Sequence, residues 1–290
     1  MNAALAATQE GPLALICGGG SMPLAVADFV AARGRKVLLF PLRGIAKPED
    51  YARREHTWVR IAKFGAFERA AKAAGCREIV LIGSIVRPSI WQVRFDWLTI
   101  KLVPRIAAAF VGGDDFVLSS GAKLIEERGF RVLGAHEVAP EILVPQGTLG
   151  GAEPSERDRA DIDLGLDYLR ATGSFDVGQA VVVAGKHVLA VEAAEGTDAM
   201  LARVAEMRAS GRVRSAAGSG VLVKAPKQGQ DRRFDLPSIG PQTVEGAARA
   251  GLAGIAVVAG STIVAEPERL IAAANRANIF IIGTPAETAR

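Results

Sequence analysis

The sequence predicts an α/β protein built from two α/β domains that are joined by a linker rich in proline and glycine. Short apolar runs alternate with segments of helical periodicity, which is the pattern of parallel α/β construction. The alternation is interrupted at 140–154, PEILVPQGTLGGAEP, where proline and glycine concentrate. We therefore expect an N-terminal domain over residues 1–145 and a C-terminal domain over residues 146–290.

The N-terminal half opens with a strand, LALIC at 13–17, which is followed by the turn GGGS and a helix. Pro23 suits the first turn of this helix, where its missing N–H has no intrahelical partner, and Gly34 suits its end. Further strands are predicted at 36–40, 56–61, 78–83 and 130–135, and helices at about 66–75, 89–110 and 115–128.

The C-terminal half begins with a helix at 156–172 and continues with two β-rich runs, QAVVVAGKHVLAVEA, joined at Ala184-Gly185-Lys186. A helix at 198–209, the strand GVLVK, a polar loop, a helix near 242–250, the strand GIAVVAG, a helix at 267–277 and the strand NIFIIG follow in that order. This half therefore has the same alternation as the first.

Composition limits the class of protein. The 290 residues are 49% hydrophobic and 23% charged, which suits a large core or two ordinary ones and argues against disorder. The formal net charge of +4 suits an anionic ligand or a membrane surface better than a nucleic-acid track. The start MNAALAATQEGP lacks the features of a signal peptide, and no stretch has the length of a transmembrane span. We expect a cytoplasmic protein with buried, reduced thiols at Cys17 and Cys76.

The turn Gly18-Gly19-Gly20-Ser21 lies between a strand and a helix, where backbone N–H groups and the helix dipole favour a phosphate. A tight turn without a ligand is an equal alternative. NAD binding would need an acidic residue near the end of the second strand, and that region reads LLFPLRG. NAD is therefore not expected, whereas Arg43 keeps NADP as an alternative.

Carboxylates form two further candidate groups. Asp114 and Asp115 follow two glycines, and adjacent carboxylates on such a loop can hold Mg²⁺, although capping of the next helix is their commoner role. Glu192 falls late in an apolar strand, where an unpaired carboxylate is costly to bury, so we expect it to have a partner. Thr197 is a candidate N-cap of the following helix. The acidic side chains around Gly196 and Thr197 are Glu192, Glu195 and Asp198.

The densest polar segment is the loop within VLVKAPKQGQDRRFDLPSIGP at 221–241. A solvated charged turn is the usual interpretation of such a loop. Here prolines and glycines restrict its path, which indicates a preorganised site for a diphosphate, with Asp231 or Asp235 holding a metal or orienting water. No histidine pair has the spacing of a zinc site, and no G-x-S-x-G nucleophile motif occurs.

Long motifs carry a family resemblance. They are ICGGGSMP and GGDD in the first half, and AVVVAGKHVLAVEAAEGTDAM and VLVKAPKQGQDRRFDLPSIGPQTVEGAARAGLAGIAVVAG in the second. The chain resembles the LpxI family of UDP-2,3-diacylglucosamine pyrophosphatases of lipid A synthesis over nearly its whole length. The second-half motifs are the specific ones. One departure is Gln228, which stands where the family pattern K-P-G-Q places proline.

The resemblance implies hydrolysis of UDP-2,3-diacylglucosamine to UMP and 2,3-diacylglucosamine 1-phosphate, called lipid X, assisted by Mg²⁺ with Mn²⁺ as an alternative ion. It implies that water attacks the phosphorus next to the sugar. It also implies a Rossmann-like parallel sheet in the N-terminal domain, a distinct C-terminal α/β domain, and substrate bound between them. The expected protein is peripheral to the inner membrane, has no nucleic-acid partner, and is compatible with a homodimer.

We accordingly assign candidate roles to individual residues. The catalytic candidates are Asp231, Asp235, Lys224, Lys227 and Arg233, and the metal ligands are Asp231, Asp235, Asp114 and Asp115. The substrate-binding candidates are Gly19, Gly20, Ser21, Thr148, Glu192, Glu195, Gly196, Thr197, Asp198 and Gln230. An NADP-dependent oxidoreductase and a non-catalytic nucleotide or lipid carrier remain as alternative functions.

The segment 88–104, PSIWQVRFDWLTIKLVP, predicts a helix with an apolar stripe through Trp91, Phe95, Leu98 and Leu102. Such a stripe is commonly part of a core. Tryptophans beside regularly spaced cations also suit a membrane interface or a channel for acyl chains, so both interpretations stay open.

Overall fold

A computed structural model describes residues 11–60, 63–84, 114–175, 177–213, 215–227 and 231–285, with the side chains of 114–118 and 120 left aside. The chain divides into two compact units. One unit comprises Met1–Glu141 together with Asp231–Phe234, and the other comprises Ile142–Gln230 together with Asp235–Arg290. Both units combine helices with a β-sheet, which confirms the predicted fold class of two α/β domains.

The first unit is built on a parallel four-stranded sheet of order β2-β1-β3-β4. Its strands are β1 (Leu13–Cys17), β2 (Val37–Pro41), β3 (Glu78–Ile82) and β4 (Arg131–Leu133). Its described helices are α1 (Met22–Ala32), α2 (Pro48–Tyr51), α3 (Phe64–Ala73), α4 (Asp114–Glu126) and α5 (Ala135–Val138).

One core cluster of the first unit lies between this sheet and the helices α3 and α4. Phe40 of β2 and Phe67 of α3 meet edge to face with ring centroids 5.0 Å apart. Ile79 of β3 and Ala122 of α4 belong to the same cluster and are almost fully buried. Cys17 and Cys76 are free buried thiols, as predicted, and burial raises the pKa of Cys17 to about 11.

The predicted strand at 56–61 is wrong for the described residues 56–60, where only two isolated bridges form, His56 with Leu39 of β2 and Val59 with Leu42 just after β2. The register between those bridges would require Pro41 to donate an N–H to the neighbouring segment. Proline has no N–H, so the ladder is interrupted at that position. The flanking bonds, Thr57 N to Leu39 O and Val59 N to Pro41 O, are present.

The second unit has a mixed six-stranded sheet of order β5-β12-β10-β8-β6-β7. Its strands are β5 (Gly147–Gly150), β6 (Ala180–Ala184), β7 (His187–Val191), β8 (Val221–Lys224), β10 (Gly254–Val258) and β12 (Phe280–Thr284). Strands β8, β10 and β12 are parallel, whereas β5, at one edge, and the β6–β7 hairpin pair antiparallel. A separate two-stranded pair is formed by β9 (Ser238–Ile239) and β11 (Ile263–Val264).

Helices cover both faces of this sheet. The helices are α6 (Glu156–Thr172), α7 (Gly196–Ala209), α8 (Pro241–Arg249) and α9 (Pro267–Ala277). Val181 and Val183 of β6 pack with Leu166 of α6, whereas Val182 between them packs with Met200 of α7. Because successive side chains of a strand point to opposite faces, one strand supplies both cores.

The hairpin between β6 and β7 turns at Gly185 and Lys186, whose φ angles are +61° and +63°. Positive φ at both central residues matches the twist of a two-residue hairpin, and glycine adopts it without strain. Asp161 of α6 is fully buried and accepts hydrogen bonds from both backbone N–H groups, at 2.9 and 2.6 Å. The helix therefore holds the turn through a single carboxylate.

The predicted linker at 140–154 is partly regular structure, because Gly147–Gly150 forms the edge strand β5 against β12. The chain just before β5 comes so close to β12 that position 283 must be glycine, since a Cβ there would lie 2.0 Å from Pro145 O. The predicted helix at 89–110, with its tryptophan stripe, lies outside the described residues. Within the described ranges, every helix is too short or too polar to cross a bilayer.

Candidate functional site

A polar cluster lies at the carboxyl end of β8, near the middle of the second unit's sheet. Lys224 is the last residue of β8 and is 7% exposed. Its Nζ donates hydrogen bonds to Thr197 Oγ1 over 3.0 Å and to Ser238 O over 3.1 Å. An ammonium has three N–H donors, so the described contacts leave one of them for a ligand.

Burial lowers the pKa of Lys224, because desolvation penalises the charged ammonium. The charges of three carboxylates oppose this effect and raise the pKa; they belong to Glu192, Asp198 and Asp235. Three carboxylates therefore act on the Lys224 ammonium, and a divalent cation bound among them would reduce their repulsion of an anionic substrate.

Glu192 has the partners that its position predicted. Its Oε2 accepts from the backbone N–H of Gln179 over 2.8 Å, and its Oε1 accepts from Thr197 Oγ1 over 2.7 Å. Gly178 permits this packing, since a Cβ there would lie 2.4 Å from Glu192 Cγ. The carboxylate is thus held by a backbone group and a hydroxyl beside the ammonium of Lys224.

Thr197 is not the N-cap that the sequence analysis expected. Helix α7 begins at Gly196, and its N-cap residue, Glu195, makes no side-chain capping bond. The Thr197 hydroxyl instead donates to Glu192 and accepts from Lys224. Gly196 has a φ of +79°, a conformation that favours glycine, and it turns the chain into the helix.

Asp235 belongs to the same cluster and is held by Gln179. Gln179 Nε2 lies 3.0 Å from each of the two carboxylate oxygens of Asp235. Gln179 thus contacts Glu192 through its backbone and Asp235 through its side chain. The cluster is a connected network that runs from Asp235 through Gln179, Glu192 and Thr197 to Lys224.

Asp231 lies in the segment that belongs to the first unit, where Arg233 binds it. Arg233 Nη2 lies 2.7 Å from Asp231 Oδ2, and its Nε lies 3.0 Å from Oδ1. Arg233 also donates from Nη1 to Glu126 Oε1 over 2.8 Å. The guanidinium lowers the pKa of Asp231 and holds it ionised. Its two carboxylate partners in turn raise the pKa of Arg233.

The glycine-rich turn after β1 is used for close backbone packing. A Cβ on Gly18 would lie 2.5 Å from Ser84 O, and one on Gly83, whose φ is +102°, would lie 2.8 Å from Gly19 O. Gly19 exchanges two backbone hydrogen bonds with Ser84, which join the ends of β1 and β3. Phosphate binding would therefore depend on the N–H groups that follow, at Gly20 and Ser21.

Ser21 makes no side-chain capping bond at the start of α1, so its hydroxyl makes no contact with the helix N–H groups. Arg43, on which the NADP alternative depended, lies over the ring of Trp58 at 5.5 Å from its centroid. A cation in this position is stabilised by the ring.

Comparison with known protein families supports the resemblance over both halves of the chain. The model of the LpxI N-terminal domain matches residues 12–142, and that of the LpxI C-terminal domain matches residues 145–282. The chain belongs to the LpxI family. The UDP-2,3-diacylglucosamine pyrophosphatase LpxI of Caulobacter vibrioides is 42% identical over 271 residues, which cover 93% of this chain and 96% of that protein.

Several other candidate residues of the second unit are exposed or paired elsewhere. Glu195 forms an ion pair with Arg203 at 2.8 Å, and Asp198 lies exposed in the first turn of α7. Thr148 is exposed on β5 and donates to Glu153 over 2.6 Å. Lys227 is partly buried. Gln230 lies outside the described residues, and Asp114 and Asp115 form the first turn of α4.

The donor set of this LpxI chain suits a hard cation. Within the described residues, no group of three or more acidic, histidine or cysteine side chains is arranged to hold a metal ion alone. Mg²⁺ commonly binds through one or two carboxylates together with water and substrate phosphates. Asp235, one of the three carboxylates that act on Lys224, fits that mode. Asp231 fits it less well, because both of its oxygens already accept from Arg233.

Two residues that contact candidate site residues were not predicted: Gln179, in the network around Lys224, and Glu126, which binds Arg233 in the first unit. Gln179 carries a signal in retrospect, because an amide side chain just before the wholly apolar strand AVVVA needs a polar partner. Glu126, near the end of α4, looks like an ordinary helix-surface acid, and nothing in its neighbourhood points to Arg233.

Proposed function

We propose that this chain hydrolyses the pyrophosphate bond of UDP-2,3-diacylglucosamine to UMP and 2,3-diacylglucosamine 1-phosphate, in the synthesis of lipid A. The proposal rests first on the close relative in Caulobacter vibrioides, which is a UDP-2,3-diacylglucosamine pyrophosphatase by name. The observation that carries it on this chain is the network around the buried Lys224, which places an ammonium and carboxylates together.

The residues of the network have complementary chemistry for this reaction. Lys224 has one N–H donor left for an oxygen of the diphosphate, where charge develops on the leaving phosphate. Thr197 and Ser238 fix the ammonium in place. Gln179 orients the Asp235 carboxylate, which would orient the attacking water or hold the metal. Water attacks the phosphorus next to the sugar, and UMP leaves.

Mg²⁺ is the proposed cofactor, with Mn²⁺ as a substitute. When bound, it would offset the charge of the diphosphate and of the carboxylates near Lys224. Asp235 is the proposed protein ligand, because it lies among the carboxylates around Lys224 and Gln179 orients it. Asp231, held by Arg233, would instead act in shaping the loop in which both aspartates lie.

The remaining parts of the proposal follow from the substrate. Its two acyl chains lie in a bilayer, so the enzyme would work at the cytoplasmic surface of the inner membrane as a peripheral protein. Segment 88–104, with its tryptophans and cations, is the proposed contact with acyl chains. A homodimer is a further proposal, and no nucleic-acid partner is proposed.

The decisive experiment incubates the purified protein with UDP-2,3-diacylglucosamine and Mg²⁺ in detergent micelles and measures UMP. Release of UMP and lipid X in equal amounts supports the proposal. Substrate binding without UMP indicates a carrier, and turnover that depends on NADP indicates an oxidoreductase. Repeating the reaction in ¹⁸O-labelled water tests the site of attack, because label in the sugar phosphate and its absence from UMP is expected.

A further inference from the structure

Arg233 is held on the first unit by hydrogen bonds from both ends of its guanidinium. Its Nη1 donates to Glu126 Oε1 over 2.8 Å and to the carbonyl oxygen of Val132 over 3.3 Å. Its Nε and Nη2 donate to the carboxylate of Asp231, at 3.0 and 2.7 Å. A guanidinium is planar and its donors form a rigid fork, so bonds on opposite sides fix its orientation.

The main chain beside Arg233 is held as closely. The backbone N–H of Arg233 donates to Asp231 Oδ1 over 3.1 Å, and that of Phe234 donates to Asp231 O over 3.0 Å. The Phe234 side chain packs against the aromatic core cluster of the first unit. A Cβ at Gly134 would lie 3.1 Å from Arg233 Cα. The segment Asp231–Phe234 is therefore bound to the first unit by side chains and backbone together.

Glu126 differs from the other two partners of Arg233. Asp231 lies two positions before Arg233, so its bonds shape the segment without attaching it to another element. Val132 offers a neutral carbonyl at a longer distance. Within the described residues, Glu126 is the one carboxylate from outside the segment that pairs with Arg233, and bonds between two charged groups are the stronger kind. Glu126 is therefore the principal polar attachment of Arg233 to the rest of the unit.

Glu126 is unfavourable at its position on its own helix. It is the last residue of α4, and the partial negative charge at the C-terminus of a helix repels a carboxylate. The guanidinium of Arg233 offsets this repulsion. Residues that conflict with local preference and are compensated by a distant partner are commonly found at functional sites.

The described contacts leave one N–H of Arg233 for a ligand. Nη1 uses both of its N–H groups and Nε uses its own, whereas Nη2 uses one of two. The side chain is 28% exposed, so a ligand can reach it. An oriented guanidinium with a remaining N–H suits an oxygen of a diphosphate, on which negative charge grows as the bond breaks.

We propose that Glu126 is a positioning residue for the diphosphate hydrolysis described above, and that it fixes the Arg233 guanidinium so that its remaining N–H is held for the substrate. The inference rests on the proposed function. Glu126 acts on the reaction only through Arg233. Its effect is one of geometry, since displacing a reacting group by about 1 Å can cost roughly 10²-fold in rate.

A merely structural role makes a different prediction. If Glu126 only closed the end of α4, its replacement would loosen that helix and leave turnover of the folded protein unchanged. If it holds Arg233, its replacement frees the segment Asp231–Phe234 and lowers kcat while α4 stays protected. Hydrogen exchange and steady-state kinetics together separate the two roles.

The test compares Glu126→Gln and Glu126→Leu in the whole chain, with Glu245→Gln and Glu245→Leu as matched controls. Glutamine keeps an acceptor oxygen and removes the charge, whereas leucine removes both. Glu245 is exposed on α8 and takes the same two changes. Exchange is followed at the backbone N–H groups of Arg233 and Phe234 and along α4, and kcat and KM are measured for UMP release from UDP-2,3-diacylglucosamine.

In Glu126→Leu we expect exchange at Arg233 and Phe234 to rise roughly 10-fold or more and kcat to fall roughly 10- to 30-fold. Glu126→Gln should change both in the same direction, with kcat lower by about 3-fold, because a neutral acceptor binds a guanidinium less strongly. KM should change less than about 2-fold, since the charge that Arg233 meets develops in the transition state. Glu126 is partly exposed, so both variants should fold, and the Gln variant carries the test alone if the Leu variant does not.

The outcomes distinguish this inference from the proposed function. If the wild-type protein releases no UMP, the proposed function fails, and the inference fails with it. Faster exchange in the segment Asp231–Phe234 combined with a lower kcat, in the Glu126 variants and not in the Glu245 controls, supports the inference. Any other combination in which the wild-type protein and the controls are active overturns the inference and leaves the proposed function standing.

Discussion

Lys224 and Thr197 meet at 3.0 Å, with the ammonium Nζ donating to the hydroxyl oxygen. The same hydroxyl donates to Glu192 Oε1 over 2.7 Å, so a single oxygen atom joins a buried cation to a carboxylate. A hydroxyl can accept and donate at once, which an apolar side chain of the same shape cannot do. Thr197 is therefore one of the two groups that hold the ammonium, the other being Ser238 O.

Thr197→Val should lower kcat for UMP release by roughly 10-fold and stability by about 1 kcal/mol, because it removes both hydrogen bonds and keeps the side-chain shape. Steady-state kinetics and denaturant unfolding measure the two effects. Thr172→Val is the matched control, since the Thr172 hydroxyl bonds only to Tyr168 O within α6. Equal kcat values for the two variants would remove Thr197 from the site.

Asp235→Asn should lower kcat by roughly 10² or more and leave the fold intact, because it removes a charge and preserves the packing. Asp167→Asn, which alters an exposed carboxylate paired with Arg170 on α6, is the control. Turnover of the Asp235 variant at the level of this control would exclude Asp235 from the reaction.

Asp231→Asn should also lower kcat by roughly 10² or more, because it weakens the bond between this residue and Arg233.

The ion pair of Asp231 and Arg233 should make part of the stability depend on pH. Arg233 lowers the pKa of Asp231 in the folded chain, so as the pH falls the unfolded chain takes up this proton first and stability is lost. The contribution is present above the unfolded pKa of about 4 and disappears as the pH falls through the lower folded pKa. At neutral pH, Asp231→Asn should cost about 1 kcal/mol or less, because the pair is partly exposed.

Denaturant unfolding at pH 7 and at pH 3 checks this dependence. The difference in unfolding free energy between the wild-type protein and Asp231→Asn should shrink at the lower pH. A difference of the same size at both pH values would show that the aspartate stabilises the loop by packing and not by its charge.

Activity should require Mg²⁺ or Mn²⁺, disappear in excess chelator and return when either ion is restored, whereas zinc should substitute poorly. The physical reason is that the candidate ligands are carboxylate oxygens, which suit hard cations. UMP release measured against metal concentration tests this expectation. Full turnover in excess EDTA would reject a metal-assisted reaction.

Much of the fold could be predicted from local pattern alone. The apolar run LALIC and the buried run GIAVV became strands because each is short, wholly apolar and bounded by glycine or proline. The helix at 156–172 was predicted with its observed bounds, and in the structure Ser155 caps its start with Asp158 completing the capping box. The interrupted ladder beside β2 was missed, because a proline at the end of one strand acts on its neighbour.

The sequence by itself determined the class of the protein, its two α/β domains and the family to which it belongs, since composition, periodicity and long motifs are written along the chain. Only the tertiary structure decided which side chains meet. Gln179 reaches Asp235 across 56 positions, and Arg233 reaches Glu126 across 107. Such pairs depend on strand order and on the path of loops, which neither propensity nor periodicity encodes, because both describe only neighbours along the chain.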